Sequence, residues 1–330
     1  MTPSAWWMNM SAPEVIERQQ QAMQRLLMAA TPGLLVLFWL YGWGVLINLL
    51  LAGTCAWAVE AGVRRLRGQG SNDLNGLVSA TLLALALPPY CPWWLCLGAV
   101  SSGLLLGKHL YGGKQNPFNP AMLGYALMLL AFPQPMTHWP ASHGLDLLAG
   151  LQQVFGLHGE TADAWARATA LDALRINNSL TIDELFARHP AFGQIAGKGS
   201  EWVNLAFLAG GLFLLQQRVF SWHAPVGMLA SLFVISLLCW NGSGSDSHGS
   251  PLFHLLTGAT MLGAFFIITE PVSGAKSARA RLLFGVGVGV LTYLIRTWGS
   301  YPDGLAFAVL LMNLAVPALE RWTRPQAVKA

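Results

Sequence analysis

Residues 26–59 read LLMAATPGLLVLFWLYGWGVLINLLLAGTCAWAV, with no charged side chain between Arg25 and Glu60. A charge at the centre of a bilayer costs at least about 2.5–3.5 kcal/mol on insertion scales, so charge-free apolar runs mark the stretches able to cross one. A crossing takes about 20 helical residues, and this run is too long for a single one. Tyr41-Gly42-Trp43-Gly44 divides it, because glycines and aromatic rings suit a turn at the membrane interface. Two consecutive helices are therefore expected. The same pattern recurs between Asp73 and Lys108, where Pro88-Pro89-Tyr90-Cys91-Pro92 cannot continue a helix and leaves spans near 74–88 and 93–109. A fifth span is expected from about Asn119 to Phe132, and five more near 202–217, 223–240, 253–270, 281–298 and 304–320.

Composition agrees with this count. Only 10% of the 330 residues are charged, where a soluble chain carries roughly 25%. Hydrophobic residues make up 54%, there are 14 Trp, and the mean hydropathy is +0.47. Intrinsic disorder needs the opposite balance, and four Cys are too sparse for a disulfide scaffold. The Lys and Arg residues are scattered in twos and threes between apolar runs, which suits membrane orientation and not nucleic acid. The expected fold is all-α: a polytopic integral membrane protein of about ten transmembrane helices.

Residues 133–201 interrupt the spans with a polar stretch far longer than an ordinary connection, and such stretches are usually functional. With five spans on either side, the second half is inverted relative to the first, as in transporters built from inverted repeats. The chain thus divides into an N-terminal segment 1–24, a five-helix half 25–132, the outer, periplasmic segment 133–201, a second half 202–320 and a tail 321–330. Residues 12–24 read as a short amphipathic interfacial helix. Of the 19 basic residues, only Arg167, Arg175, Arg188, Lys198 and Arg296 fall on the side of the long segment. The positive-inside rule therefore places both termini in the cytoplasm.

Among groups able to carry chemistry, Cys55, Cys91, Cys96 and Cys239 form no CxxC pair and sit in or beside apolar helices, as small hydrophobes do. No metal site is expected from them. His109 and His223, at the ends of two spans, are the one candidate pair for a membrane haem. No phosphate-binding glycine loop follows a strand. Four polar segments lie at helix ends: Tyr111–Ala121, Gly299–Gly304, His254–Thr260 and Thr269–Gly274. The first two enter the fifth and tenth spans in matched positions, the pattern of a transporter-like site. Glu270 and Asp303, carboxylates at membrane boundaries beside Pro and Gly, are the candidates for an ion path.

Four stretches, KHLYGGKQNPFNPAMLGYALMLLAFPQPMTHW (108–139), EWVNLAFLAGG (201–211), HLLTGATMLGAFFIITEPVSG (254–274) and RTWGSYPDGLAFAVLLMNLAVPALERWTRP (296–325), resemble the D subunits of the Rnf ion-translocating oxidoreductase complex. The resemblance covers nearly the whole chain. More distantly the chain is similar to the B subunit of the sodium-translocating NADH:quinone reductase. The resemblance implies a membrane subunit that carries electrons between ferredoxin and NAD while Na+ or H+ crosses a bacterial inner membrane. It implies other complex subunits, membrane lipid and a flavin transferase as partners. It also implies a covalent FMN, held by a phosphoester on a threonine in a motif of the form Asp-x-x-Ser/Thr-x-Ala-Thr, and a non-covalent riboflavin.

Two places compete for the FMN, Asp163–Thr169 in the outer segment and Thr257-Gly258-Ala259-Thr260 at the start of the eighth span. Thr169 is the assignment, with Asp163 six residues before it, Ala170-Leu171 after it and an accessible setting; Ala166 departs from the hydroxyl of the family pattern. Relatives of the B type carry acidic residues in their spans, which fall here on Glu270 and Asp303, with Asn75 in place of a third. A reading of another class is a small-solute channel or transporter of this architecture without flavin.

Overall fold

The structure, a computed structural model, describes residues 12–68, 74–111, 116–140, 144–157, 166–177, 179–244, 247–301 and 303–323. The described chain is almost wholly helical. Helix α1 (Ala12–Tyr41) and α2 (Trp43–Arg67) meet at Gly42, whose φ of +70° makes the tight reversal open to glycine. The expected separate helix over 12–24 instead continues into α1, since the Gln, Met, Ala and Arg residues after Glu17 all favour helix and nothing there breaks it. Helix α3 (Asn75–Ala86) ends before the Pro88-Pro89 pair, and α4 (Trp93–Ser102) runs into a π-helical segment, Gly103–His109. Helix α5 (Pro120–Ala131) starts at Asn119, whose side-chain oxygen accepts the Met122 N–H at 3.1 Å.

The long segment 133–201 has two short strands, β1 (Trp139–Pro140) and β2 (Ala166–Arg167), paired antiparallel with Trp139 opposite Arg167. Around them lie α6 (Leu147–Phe155), α7 (Ala170–Ile176) and α8 (Ile182–Arg188). Leu171, Leu185, Phe192 and Ala196 form a small core with Phe253 of the second half, which fastens this segment to the helices.

The second half contains α9 (Ser200–Gln216), α10 (His223–Leu238), α11 (Pro251–Leu256), α12 (Thr260–Leu262) with a π-helical continuation Gly263–Ile267, α13 (Ala278–Trp298) and α14 (Leu305–Thr323). The span expected over 253–270 is thus not one helix but two pieces and a break. Helices α10 and α13 pack along their length, α1 packs on α9, and α5 on α14. Small residues permit this closeness: a side chain at Gly285 or Gly289 would collide with the backbone of α10.

Four helical stretches, Gln19–Tyr41, Trp43–Arg67, Ala278–Trp298 and Leu305–Thr323, are long and apolar enough to cross a membrane. The apolar helices α3, α5 and α10 fall short of about 20 residues. Short helices and broken backbone at membrane depth are tolerated where neighbouring protein shields them, and α3 and α5 bury half or more of their residues. Large apolar side chains face outward on the long helices, among them Trp39, Leu50 and Trp57. In lipid that exposure is favourable, and the chain is a multi-pass membrane protein.

Two contacts fix the ends of the helices. At one end the Tyr90 hydroxyl donates to the carbonyls of Tyr41 (2.9 Å) and Leu145 (3.0 Å), closing the α1–α2 turn, the α3–α4 turn and the start of the long segment together. At the opposite end of α2, Glu60 receives Lys108 Nζ at 2.8 Å and His109 Nε2 at 3.2 Å.

Candidate functional site

Helix α11 stops at Leu256 and α12 begins at Thr260, so the residues between them carry backbone groups without helical partners inside the protein. Each such group, left unpaired, costs about 1–3 kcal/mol. Side chains from two helices and one loop supply the partners. From α9, Asn204 Nδ2 donates to the carbonyls of Leu256 (3.0 Å) and Gly258 (3.1 Å), and its Oδ1 accepts the Met261 N–H (3.0 Å). From α13, Arg296 donates through Nη1 to the His254 carbonyl (2.9 Å) and through Nη2 to the Thr257 carbonyl (3.3 Å) and Thr260 Oγ1 (3.0 Å). Asp303 accepts from Arg296 Nε (3.2 Å) and Nη2 (3.1 Å), and also from the Ala259 N–H (2.9 Å) and Leu305 N–H (3.2 Å). Gly258, at φ +65°, makes the reversal that presents these groups.

The Arg296 side chain is 0% exposed and that of Asp303 21%. A buried charge persists only with partners. Here the guanidinium neutralises Asp303 and splints the broken helix in one arrangement. Its planar fork of donors suits that double task, which a lysine ammonium would not perform. From sequence alone Arg296 is the basic residue near the end of the span 281–298, sorted to the side of the long segment; the structure adds that it is buried and paired there. The available signal is its setting in the apolar run Leu294-Ile295-Arg296-Thr297-Trp298, since an ionisable group inside a span is paired and functional by default.

Beside this break lies a cavity of about 390 Å3, within the roughly 300–1,000 Å3 usual for cofactor sites. Both halves wall it: Leu37, Leu85, Met122 and Tyr125 come from the first and Phe207 and Leu305 from the second. Its polar lining includes Thr169, Thr257 and Asp303, with the basic residues Arg167 and Lys198 and the ring of His189. The two threonine motifs that compete in the sequence thus contribute to one cavity.

Their threonines differ in state. Thr169 is partly exposed at the start of α7, and its Oγ1 donates to Asp172 Oδ2 (2.7 Å) while accepting the Asp172 N–H (3.2 Å). Asp172 Oδ2 also accepts the Thr169 N–H (3.2 Å), so the pair forms a capping box. Arg175 on the same helix donates to the Ser300 carbonyl at 2.7 Å, tying α7 to the loop that carries Asp303. Thr260 is 0% exposed and commits its hydroxyl to the carbonyls of His254 and Thr257, both at 2.9 Å. Thr257 is 3% exposed, and its hydroxyl has no hydrogen-bond partner among the described residues. Asp163 lies outside the described residues; β2 leads from that region into Thr169.

Glu270 lies beyond the far end of the π segment that follows α12. Its carboxylate accepts the N–H groups of Val272 (3.1 Å) and Ser273 (2.7 Å) and the Ser273 hydroxyl (2.5 Å). Two asparagines brace this turn. Asn119 Nδ2 donates to the Ile267 carbonyl (3.1 Å), Asn313 Nδ2 donates to the Ser273 carbonyl (3.1 Å), and the Asn119 N–H donates to Asn313 Oδ1 (3.0 Å). They join α5 of the first half to α14 of the second. The structure therefore places Glu270 and Asp303 at opposite ends of one interrupted helix, not in a shared site. His109 and His223 have separate settings: the first bonds Glu60, and the second stacks on Trp222 with ring centroids 4.1 Å apart.

Comparison with known proteins agrees along the whole chain. The model of the NQR2, RnfD, RnfE family matches residues 11–329. A protein of Ectopseudomonas mendocina (strain ymp), named as the D subunit of an ion-translocating oxidoreductase complex, is 62% identical over 315 residues, covering 94% of this chain and 92% of its own. Proteins of the same name from Cellvibrio japonicus (strain Ueda107) and Vibrio vulnificus (strain YJ016) are 45% and 42% identical. The first covers 97% of this chain and 94% of its own, the second 96% and 97%. With a match of this extent and helices arranged as described, the chain belongs to the NQR2, RnfD, RnfE family.

Proposed function

We propose that the chain is the flavin-bearing membrane subunit of an Rnf-type complex. In this reading electrons pass through an FMN bound by a phosphoester to the Thr169 hydroxyl, and transfer between ferredoxin and NAD is coupled to the passage of Na+ or H+. One observation carries it: a partly exposed threonine, Thr169, lines a cavity of about 390 Å3 built by both halves of the fold. The residues present suit the group. Apolar side chains such as Leu85, Met122 and Phe207 offer a wall to a planar ring, and Arg167 and Lys198 offer positive charge to a phosphate. Thr260 is buried whereas Thr169 is partly exposed, which favours Thr169 as the attachment point. The flavin would supply the electron chemistry; the chain holds and orients it.

The relatives are named as subunits of an ion-translocating oxidoreductase complex, and on that basis the chain works as one subunit of such a translocase. Its partners are then the other subunits, membrane lipid and a flavin transferase that loads Thr169. The motif position of Asp163 belongs to that loading step, and a non-covalent riboflavin is a second flavin of the assembly. About ten spans in two inverted halves, 25–132 and 202–320, place both termini on the cytoplasmic side of a bacterial inner membrane and residues 133–201 outside. Glu270 then serves the cytoplasmic end of an ion path and Asp303 the outer end.

Ultraviolet illumination of the denatured chain tests the reading, because a covalent flavin survives denaturation. The chain is expected to fluoresce, the flavin mass to fall on the peptide with Thr169, and Thr169→Val to lose both signals. A flavin mass on the peptide containing Thr260 would overturn the assignment, and a non-fluorescent wild-type chain would overturn the flavin function.

A further inference from the structure

The polar groups around the break at residues 257–260 are densely partnered. The carbonyls of His254, Leu256, Thr257 and Gly258 receive donors from Arg296, Ser200, Asn204 and Thr260. The Ala259 and Met261 N–H groups are bound by Asp303 and Asn204, and the Thr260 hydroxyl by two carbonyls and Arg296. Among the described residues the Thr257 hydroxyl finds no partner, although the residue is only 3% exposed and belongs to the cavity wall. A buried hydroxyl left unpaired costs about 1–3 kcal/mol, and each one in a native fold calls for a ligand or water that satisfies it.

We infer that Thr257 is a second, non-covalent contact of the cavity, donating a hydrogen bond to an acceptor atom on the edge of a bound heteroaromatic ring, and that Arg296 with Asp303 is the positioning unit that aims it. This rests on the flavin reading above. Thr257 belongs to the second half of the fold and Thr169 to residues 133–201, so threonines from two independent elements line one cavity. One threonine would tether the group through its phosphate, and the other would fix the ring. A hydrogen bond to a ring edge strengthens as that edge gains electron density, since bonds to charged acceptors are roughly twice as strong as neutral ones. The contact therefore favours the reduced ring and raises its midpoint potential.

The variant Thr257→Val keeps the shape and removes only the hydroxyl. No hydroxyl bond within the described protein is lost, so the assembled complex should form in normal yield with the flavin still on Thr169. Redox titration of the covalent flavin in the purified complex, followed by its visible spectrum, is expected to show a lower midpoint. A tenfold change in the equilibrium corresponds to about 30 mV for a two-electron couple. Thr257→Ser should restore the potential. An unchanged potential and spectrum in a fully flavinylated Val variant would overturn the inference and leave the flavin function standing. Failure of the Val variant to assemble would equally overturn it, by making the hydroxyl a packing requirement. A wild-type chain without flavin would instead remove the function proposed above, and this inference with it.

Discussion

The break at 257–259 and the turn at 268–274 lie at the two ends of the same interrupted helix, and each engages one of the carboxylates conspicuous in the sequence. They are closed by different chemistry. At the break, Asp303 meets a fully buried guanidinium that also holds three further acceptors. At the turn, Glu270 meets two N–H groups and a hydroxyl, and the bracing comes from the asparagines 119 and 313. An ion pair desolvated in this way is rigid, because separating it exposes two charges to a medium of low dielectric. A carboxylate held by neutral donors can exchange one for a cation or a proton at far smaller cost. The same kind of group at the same kind of helix interruption is thus riveted by an ion pair in one place and held by neutral donors in the other.

Removing the rivet is the most severe test. Arg296→Met leaves Asp303 uncompensated and the carbonyls of His254 and Thr257 short of donors, a loss of about 3–5 kcal/mol for a broken buried pair. Detergent-extracted protein should show greatly reduced yield and early thermal aggregation. Adding Asp303→Asn should recover part of the loss, because the unpaired charge is gone. Wild-type stability in the single variant would erase the contrast between the two ends.

The second comparison is functional. Glu270→Gln should leave assembly and flavin content intact while ions moved per electron in vesicles fall. Asp303→Asn should first impair folding, since it weakens the bonds to Arg296 and Ala259. Equal transport by Glu270→Gln and the wild type would return Glu270 to the role of an interfacial turn residue.

A milder effect is expected within residues 133–201, where a third carboxylate is held chiefly by neutral donors, with Arg188 Nη2 at 3.7 Å. Helix α8 begins with a capping box in which Glu184 Oε2 accepts the Thr181 N–H (3.0 Å) and hydroxyl (3.1 Å). The Thr181 N–H, then its hydroxyl, hold the Glu184 carboxyl below its ordinary value of 4.5. A folded value below the unfolded one means the stabilisation is complete above 4.5 and is lost as pH falls through the folded value. Amide hydrogen exchange in α8 should accelerate on acidification relative to the chemical rate, and Glu184→Gln should flatten that dependence. A pH-independent protection factor would remove the carboxylate from the account.

Much of the architecture is legible in the sequence because it depends on local rules. The reversal at Gly42, the stop before Pro88-Pro89, the start at Asn119 and the helices after Thr169 and Thr181 all follow from residues a few positions apart. The break at Gly258 is harder to read, since Leu255–Ile268 is apolar apart from its two threonines and a single glycine is tolerated in many helices. Arg296 is obscured in a similar way: near a helix end it resembles an interfacial cation until its partner is known.

Short windows of the chain therefore suffice for the class: a multi-pass helical membrane protein of this family, with a long polar segment between its halves and Thr169, Glu270 and Asp303 as the groups to watch. Apolar runs, prolines, caps and long motifs carry that information. It took the packed helices to bring the motif at Thr169 and the motif at Thr257 to one cavity, to pair Arg296 with Asp303, and to set Asn119 against Asn313 between the halves. Arg296 and Asp303 are only seven residues apart, whereas Asn119 and Asn313, or Thr169 and Thr257, are far apart along the chain. These groups lie in different helices and loops, and what each one does is set by which buried partner the packing of those helices brings within hydrogen-bonding distance.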